Sequence, residues 1–246
     1  MAQYSFGNGS IWGTNSASNS TPVRLGALQD VSVDFSFNTK MLHGSYQFPL
    51  AIGRGLGKVE CKASYGQFFS RAFNDLFFNE AAAPSTGQIL VADNESGSVP
   101  GSSTYTITVS NSANFVEDLG VIYAATGLPF TKVASGPAAG QYSVPAGVYT
   151  FAAGDASASV KLSYTYSASG TGKTIIGANQ LLGQQPFFSC ILTTTFNSKP
   201  LYLKLNKCVS SKLAFPFKLE DFTINDFEFS AFADDSNEVF KLTLSE

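Results

Sequence analysis

The chain contains one histidine, His43, and one tryptophan, Trp12, among 246 residues. A single histidine excludes a multi-histidine metal centre. Any Ser-His-Asp arrangement would have to use His43, and no Gly-x-Ser-x-Gly elbow is present to carry the serine. The three cysteines, Cys61, Cys190 and Cys208, have no paired spacing. This excludes a C-x-x-C zinc or redox motif and fits reduced, buried thiols in a reducing compartment. Charged residues make up only 13% of the chain, a small share for a free monomer and one that suits a surface covered by partners. A net charge of -3 and a pI near 5.2 argue against a protein that binds nucleic acid by neutralising phosphates. No apolar run approaches the ~20 residues that span a bilayer, so no membrane anchor is expected. Met1 to Gly7 lacks a basic stretch followed by an apolar one, so no signal peptide is expected either.

What is present is apolar and β-patterned. Hydrophobic residues reach 44%, with 22 Phe and 22 Gly. That is too apolar for disorder and enough for one large β domain or two small ones. Residues 1–22 form a Gly-, Ser- and Asn-rich N-terminal arm, in which Trp12 serves either as an internal anchor or as a subunit contact. Val31, Val33, Phe35 and Phe37 alternate with Ser32, Asp34, Ser36 and Asn38, a strand with one dry and one wet face. Asn38 to Ser45 reads as a turn region and Tyr46 to Leu50 as the partner strand of a hairpin. Gly53, Gly55 and Gly57 read as a flexible loop, followed by a strand through Val59, Cys61, Ala63 and Tyr65. Phe69, Ala72, Phe73, Leu76 and Phe77 follow helical spacing, and Pro84 comes after that helix.

Residues 85–170 differ in texture. They are rich in Ala, Ser, Thr and Gly and carry seven charges. Short strands at Tyr105–Val109, Gly120–Tyr123, Tyr142–Val144, Val148–Phe151 and Val160–Tyr166 indicate an inserted immunoglobulin-like β-sandwich. The main sheet resumes at Lys173–Ile176 and Phe187–Phe196, turns at Asn197 to Pro200, and continues through Leu201, Leu203 and Leu205. Phe222 and Ile224 share one parity, Phe227 and Phe229 the other, which suggests a bulge near Asn225 and Asp226. The core therefore comprises residues 23–84 and 171–246.

Catalytic patterns fail on inspection. Ser169-Gly170-Thr171-Gly172-Lys173-Thr174 resembles a phosphate loop, but Ser167 stands where its first glycine belongs and no helix follows. Asp221, Asp226, Glu228, Asp234 and Asp235 include no calcium-loop spacing and read as a solvated acidic face rather than a glycosidase pair. Neither an enzyme nor a cofactor is expected.

Charge does separate along the last third. From Thr171 to Lys218 there are six lysines and no carboxylate; from Leu219 to Glu246 there are eight carboxylates and one lysine, Lys241. These groups can pair across neighbouring strands of one subunit, or they can meet between copies head to tail. In the second case Lys199, Lys204, Lys207 and Lys212 would face Glu220, Asp221, Asp234 and Asp235 of a neighbour.

Several segments resemble the major tail tube proteins of long-tailed bacteriophages. They are Lys218 to Asp234 (KLEDFTINDFEFSAFAD) and Leu203 to Leu213 (LKLNKCVSSKL), together with the insert, where DLGVIY at Asp118–Tyr123, AAGQYSV at Ala138–Val144 and GVYTFAAGDA at Gly147–Ala156 resemble a module recurrent in phage virion proteins. The resemblance implies a mainly β fold of two packed antiparallel sheets, of the tail-tube sandwich or barrel type, flanked by one helix. It implies six copies per ring, with long hairpins joined into an inner barrel. Stacked rings would form a hollow conduit for phage DNA, in contact with other tail proteins, in a virion tail assembled in the host cytoplasm. The insert would decorate the outside. Ser32, Asp34, Ser36 and Asn38 become candidates to line the lumen, where DNA must slide rather than stick. The alternative is another β-rich virion or surface protein. It could be a capsid decoration protein, or a carbohydrate-binding module that stacks sugars on Tyr142, Tyr149, Tyr164 and Tyr166.

Overall fold

The computed structural model describes residues 7, 9–17, 20–67, 69–78, 85–183 and 185–245. Residues 1–6, 8, 18 and 19 of the expected arm lie outside that set, as does Pro84. The described strands are β1 (Ser10–Asn15), β2 (Val23–Leu25), β3 (Leu28–His43), β4 (Pro49–Tyr65), β5 (Ser85–Ser98), β6 (Thr106–Thr108), β7 (Phe115–Tyr123), β8 (Thr131–Lys132), β9 (Gln141–Ser143), β10 (Val148–Phe151), β11 (Ser159–Thr174), β12 (Phe188–Phe196), β13 (Lys199–Ala214), β14 (Asn225–Phe232) and β15 (Phe240–Thr243). Among the described residues the protein is mainly β, its strands paired antiparallel except for β8 with β9, with one α-helix and two short 3-10 turns. It divides into two compact units, Met1–Pro84 with Ile175–Glu246, and Ser85–Thr174.

In the first unit the strands follow the order β2-β1-β12-β13-β14-β4-β3, with β15 also paired to β13. Alternation sets the dry face. Ile11, Leu25, Cys61, Ala63, Leu203, Leu205, Phe227 and Phe229 fall on one side and share a core. Each of the Ile, Leu and Phe side chains contributes ~1.5–3 kcal/mol by leaving water. The helix α1 (Ser70–Phe73) runs on into a wider turn at Asn74–Phe78 and buries Ala72 and Leu76. Gly13 admits it: a Cβ there would sit 2.6 Å from Leu76 Cδ2. β12 and β13 join through Asn197 and Ser198, both at positive φ (48° and 61°), between the paired residues Phe196 and Lys199. This is the backbone of a tight two-residue hairpin turn.

Three local expectations are corrected. β3 continues to His43 and β4 starts at Pro49, so the turn falls at residues 44–48, residues 46–48 lie in it rather than in the partner strand, and the expected flexible loop of Gly53, Gly55 and Gly57 is strand. Pairing with Phe37 and Lys40 of β3 holds Gly57 and Gly53 in the ladder, Gly55 lies in the register shift between Phe37 and Thr39, and a second shift falls between Leu42 and His43. Lys173 and Thr174 end β11, paired to Thr86 and Ser85 of the second unit, and do not resume the main sheet. The bulge lies between Ser210 and Lys212 of β13, not at Asn225 and Asp226. The parity slip arises because Phe222 and Ile224 precede β14 altogether.

The second unit packs a three-stranded sheet, β5-β11-β7, against a four-stranded one, β6-β10-β9-β8, around a common core of Val121, Leu162, Tyr164, Tyr142, Tyr149 and Phe151. Three carboxylates are built into it. Asp118 accepts hydrogen bonds from the hydroxyls of Tyr142 (2.7 Å) and Tyr149 (2.8 Å), the N–H of Gly120 (3.1 Å) and the ammonium of Lys132 (3.0 Å). Asp155 accepts from Tyr123 and the Gly140 N–H, and Glu95 from Tyr164 and Ser110. Burial alone would raise the pKa of Asp118 and Glu95, but these donors outweigh it and hold both carboxyls below their ordinary range.

Candidate assembly surfaces

The β3–β4 hairpin outruns its sheet. β14 pairs with β4 only from Tyr65 to Val59. Among the described residues, therefore, neither edge of the ribbon beyond Ser36 and Lys58 meets another strand. That arm is exposed on both faces yet carries Phe37, Met41, Leu42, Tyr46, Phe48 and Leu50, then Ile52 and Leu56. Arg54 covers Phe37, its guanidinium 3.1 Å from the ring centroid. His43 sits at the end of β3, exposed near the tip. A two-stranded ribbon with unpaired edges and uncovered apolar side chains is marginal in water and a template for pairing. The sequence carried a signal for it, large apolar residues threaded through a glycine-rich stretch, but the glycines pointed to a loop.

The wet face of the hairpin is polar, with mixed charge. Ser32 lies opposite Lys62, Asp34 opposite Glu60, and Ser36 opposite Lys58; Asn38 sits in the register shift facing Gly55 and Leu56. Lys58 pairs with Glu60 at 2.9 Å, and Lys62 with Glu228 at 3.4 Å. Two open clefts of about 200 and 190 Å³ run along this face. Asp34, Glu60 and Glu228 line one; Asp30, Ser32 and Asp226 line the other.

The separated charges of the last third partly meet inside the subunit. Lys207 pairs with Asp235 at 3.1 Å, and its ammonium lies 4.9 Å from the centre of the Phe187 ring. Lys212 pairs with Glu228 (3.4 Å) and Lys218 with Asp221 (3.2 Å). Asp234 organises a turn. Its carboxylate accepts from the N–H groups of Glu238 and Ser236 and from Asn206, and the Glu238 bond leads in holding its pKa below the ordinary value. Lys199 begins β13. Glu220 is exposed in the segment between β13 and β14.

Lys204 differs from the other lysines. It stands directly opposite Lys241 of β15, and no ion pair joins either of them to a carboxylate among the described residues. The same cross-sheet row continues through Ile191 to Trp12 and Arg24. Trp12 is 38% exposed, with the Arg24 guanidinium 5.7 Å from its ring centroid. Sequence reasoning placed neither Arg24 nor Lys241 here, because only the strand register aligns them.

Among the described residues no group of three His, Cys, Asp or Glu side chains is placed to hold a metal ion. The Gly170–Gly172 segment lies within β11, with no helix after it. The cysteines are buried; desolvation first, then the charge of Asp34, pushes the Cys61 thiol up to about 12, and burial likewise raises Cys190 and Cys208. Tyr142, Tyr149 and Tyr164 are buried in the second unit's core, so their rings are not presented to a sugar. No described helix is long and apolar enough to cross a membrane. No protein-family model matches the chain, and no curated protein matches its sequence.

Proposed function

We propose that the protein is a structural subunit that assembles with copies of itself into stacked six-membered rings, the major tail tube subunit of a long-tailed phage. The resulting hollow conduit passes DNA without binding it specifically. The observation that carries this reading is the β3–β4 arm, whose apolar faces and free edges need a covering that the described residues do not supply. Arms of neighbouring copies, paired edge to edge, satisfy the backbone and close a barrel that has no edges left. The wet face bearing Ser32, Asp34, Ser36 and Asn38 then lines the lumen. Its lysines are tied to Glu60 and Glu228 rather than free to hold phosphates.

The experiment shortens the arm. Replacing residues 38–56 with an Asn-Gly turn between Phe37 and Gly57 leaves the buried core intact. The reading expects a folded subunit that no longer associates. Normal assembly without the arm contradicts it. A decoration protein has no need for the arm, and a sugar-binding role through Tyr142, Tyr149 and Tyr164 is disfavoured by their burial.

A further inference from the structure

Two surfaces of the first unit are left open, and they complement one another. One is the row that crosses β2, β1, β12, β13 and β15. There Lys204 and Lys241 face each other directly, an unfavourable like-charge pair, on the same face as Arg24 and the half-exposed Trp12. The other is the segment 215–224 between β13 and β14. Phe217, Leu219 and Phe222 are 83%, 98% and 87% exposed, and Glu220 and Asp221 lie among them. The first surface presents cations around an aromatic ring, and the second presents carboxylates around apolar anchors.

They do not meet within one subunit. The segment leaves β13 at Ala214, ten residues beyond Lys204, which is roughly 33 Å along an extended strand. It is pinned at both ends, since Ala214 pairs with Asp226 and Asn225 with Tyr65. We infer that segment 215–224 of one copy docks on the Lys204–Lys241 row of a second copy. Phe217, Leu219 and Phe222 pack about Trp12, while Glu220 and Asp221, the latter exchanging its exposed ion pair with Lys218, neutralise the two lysines. The contact is heterologous, so every copy offers both halves and the association repeats head to tail along the direction of β13. This inference rests on the self-association proposed above and names the surfaces that join.

A charge swap in the full-length chain tests it. Lys204→Glu with Lys241→Glu, and separately Glu220→Lys with Asp221→Lys, should each raise the concentration needed for assembly by at least ~10-fold. The four substitutions combined in one chain should restore assembly. Circular dichroism melting keeps folding separate from docking; if a reversal variant does not fold, Lys204→Met with Lys241→Met replaces it, with the same expected loss. Wild-type assembly by either reversal variant overturns the docking. So does loss in both with no recovery in the combined chain. A wild-type protein that stays monomeric at every concentration overturns the self-association itself, a result these variants cannot mimic.

Discussion

Phe37 lies across Gly57, its partner in the β3–β4 ladder, and a Cβ at position 57 would stand 2.5 Å from the ring's Cε1. The missing side chain lets the ring lie flat on the ribbon, where Arg54 caps it. Gly57→Ala therefore displaces the ring and separates the cation from its face, a contact worth about 0.5–1 kcal/mol at an exposed site. The expected outcome is a small fall in melting temperature and a larger fall in assembly, because the substitution reshapes the arm more than the core. Equal effects on both would contradict the assignment of this arm to assembly.

Asp118 makes the second unit acid-sensitive. Its folded pKa and that of Glu95 lie below their ordinary values of 3.8 and 4.5. The unfolded chain therefore binds protons first as pH falls. The stabilisation is complete above those ordinary values and drains away below them, toward the lowered folded values. Near-ultraviolet circular dichroism of the tyrosines should report this loss, since Trp12, the only tryptophan, lies in the other unit. Asp118→Asn keeps the shape but weakens acceptance from Tyr142, Tyr149 and Lys132. Donors left short of a partner cost ~1–3 kcal/mol each, so the variant should melt lower at neutral pH and lose most of the acid transition attributed to this site. An unchanged acid profile would assign the sensitivity elsewhere.

Asp234 and Asp235 are neighbours with different roles. Asp235 is almost fully exposed and meets only Lys207, so Asp235→Lys should leave the melting temperature nearly unchanged. Asp234 binds two backbone N–H groups and Asn206, so Asp234→Lys should unfold the turn before β15 and lower the melting temperature. Thermal denaturation of the two single variants separates them. Equal stability would mean that the Asp234 turn is not formed in solution.

Burial and raised pKa together make the three thiols poor nucleophiles. Native protein should react with a disulfide reagent such as DTNB far more slowly than denatured protein, which should release three equivalents. Rapid reaction of one thiol in the native state would place that cysteine at the surface.

How much of this was legible in the sequence depended on whether a residue's neighbours were local. Strict alternation at Val31–Phe37, at Val59–Tyr65 and at Leu201–Leu205 marked strands, because one face is dry along the whole run. The Phe69–Phe77 stripe marked the helical segment that the structure places at residues 70–78. The long reach of β3 and β4 was hidden because glycine favours loops locally, whereas here cross-strand bonds override that preference. Most of β5 alternates too weakly between Ser, Gly and apolar residues to stand out. The charge separation was visible as a pattern, but its meaning required register. Lys207 and Lys212 find Asp235 and Glu228 inside the subunit, while Lys204 finds another lysine.

Electron microscopy of the purified wild-type protein across a concentration series tests self-assembly most directly. The arm, the open row and the exposed 215–224 segment together predict rings or hollow tubes that appear above a threshold concentration. A soluble monomer at every concentration and ionic strength, with the arm intact, would contradict it.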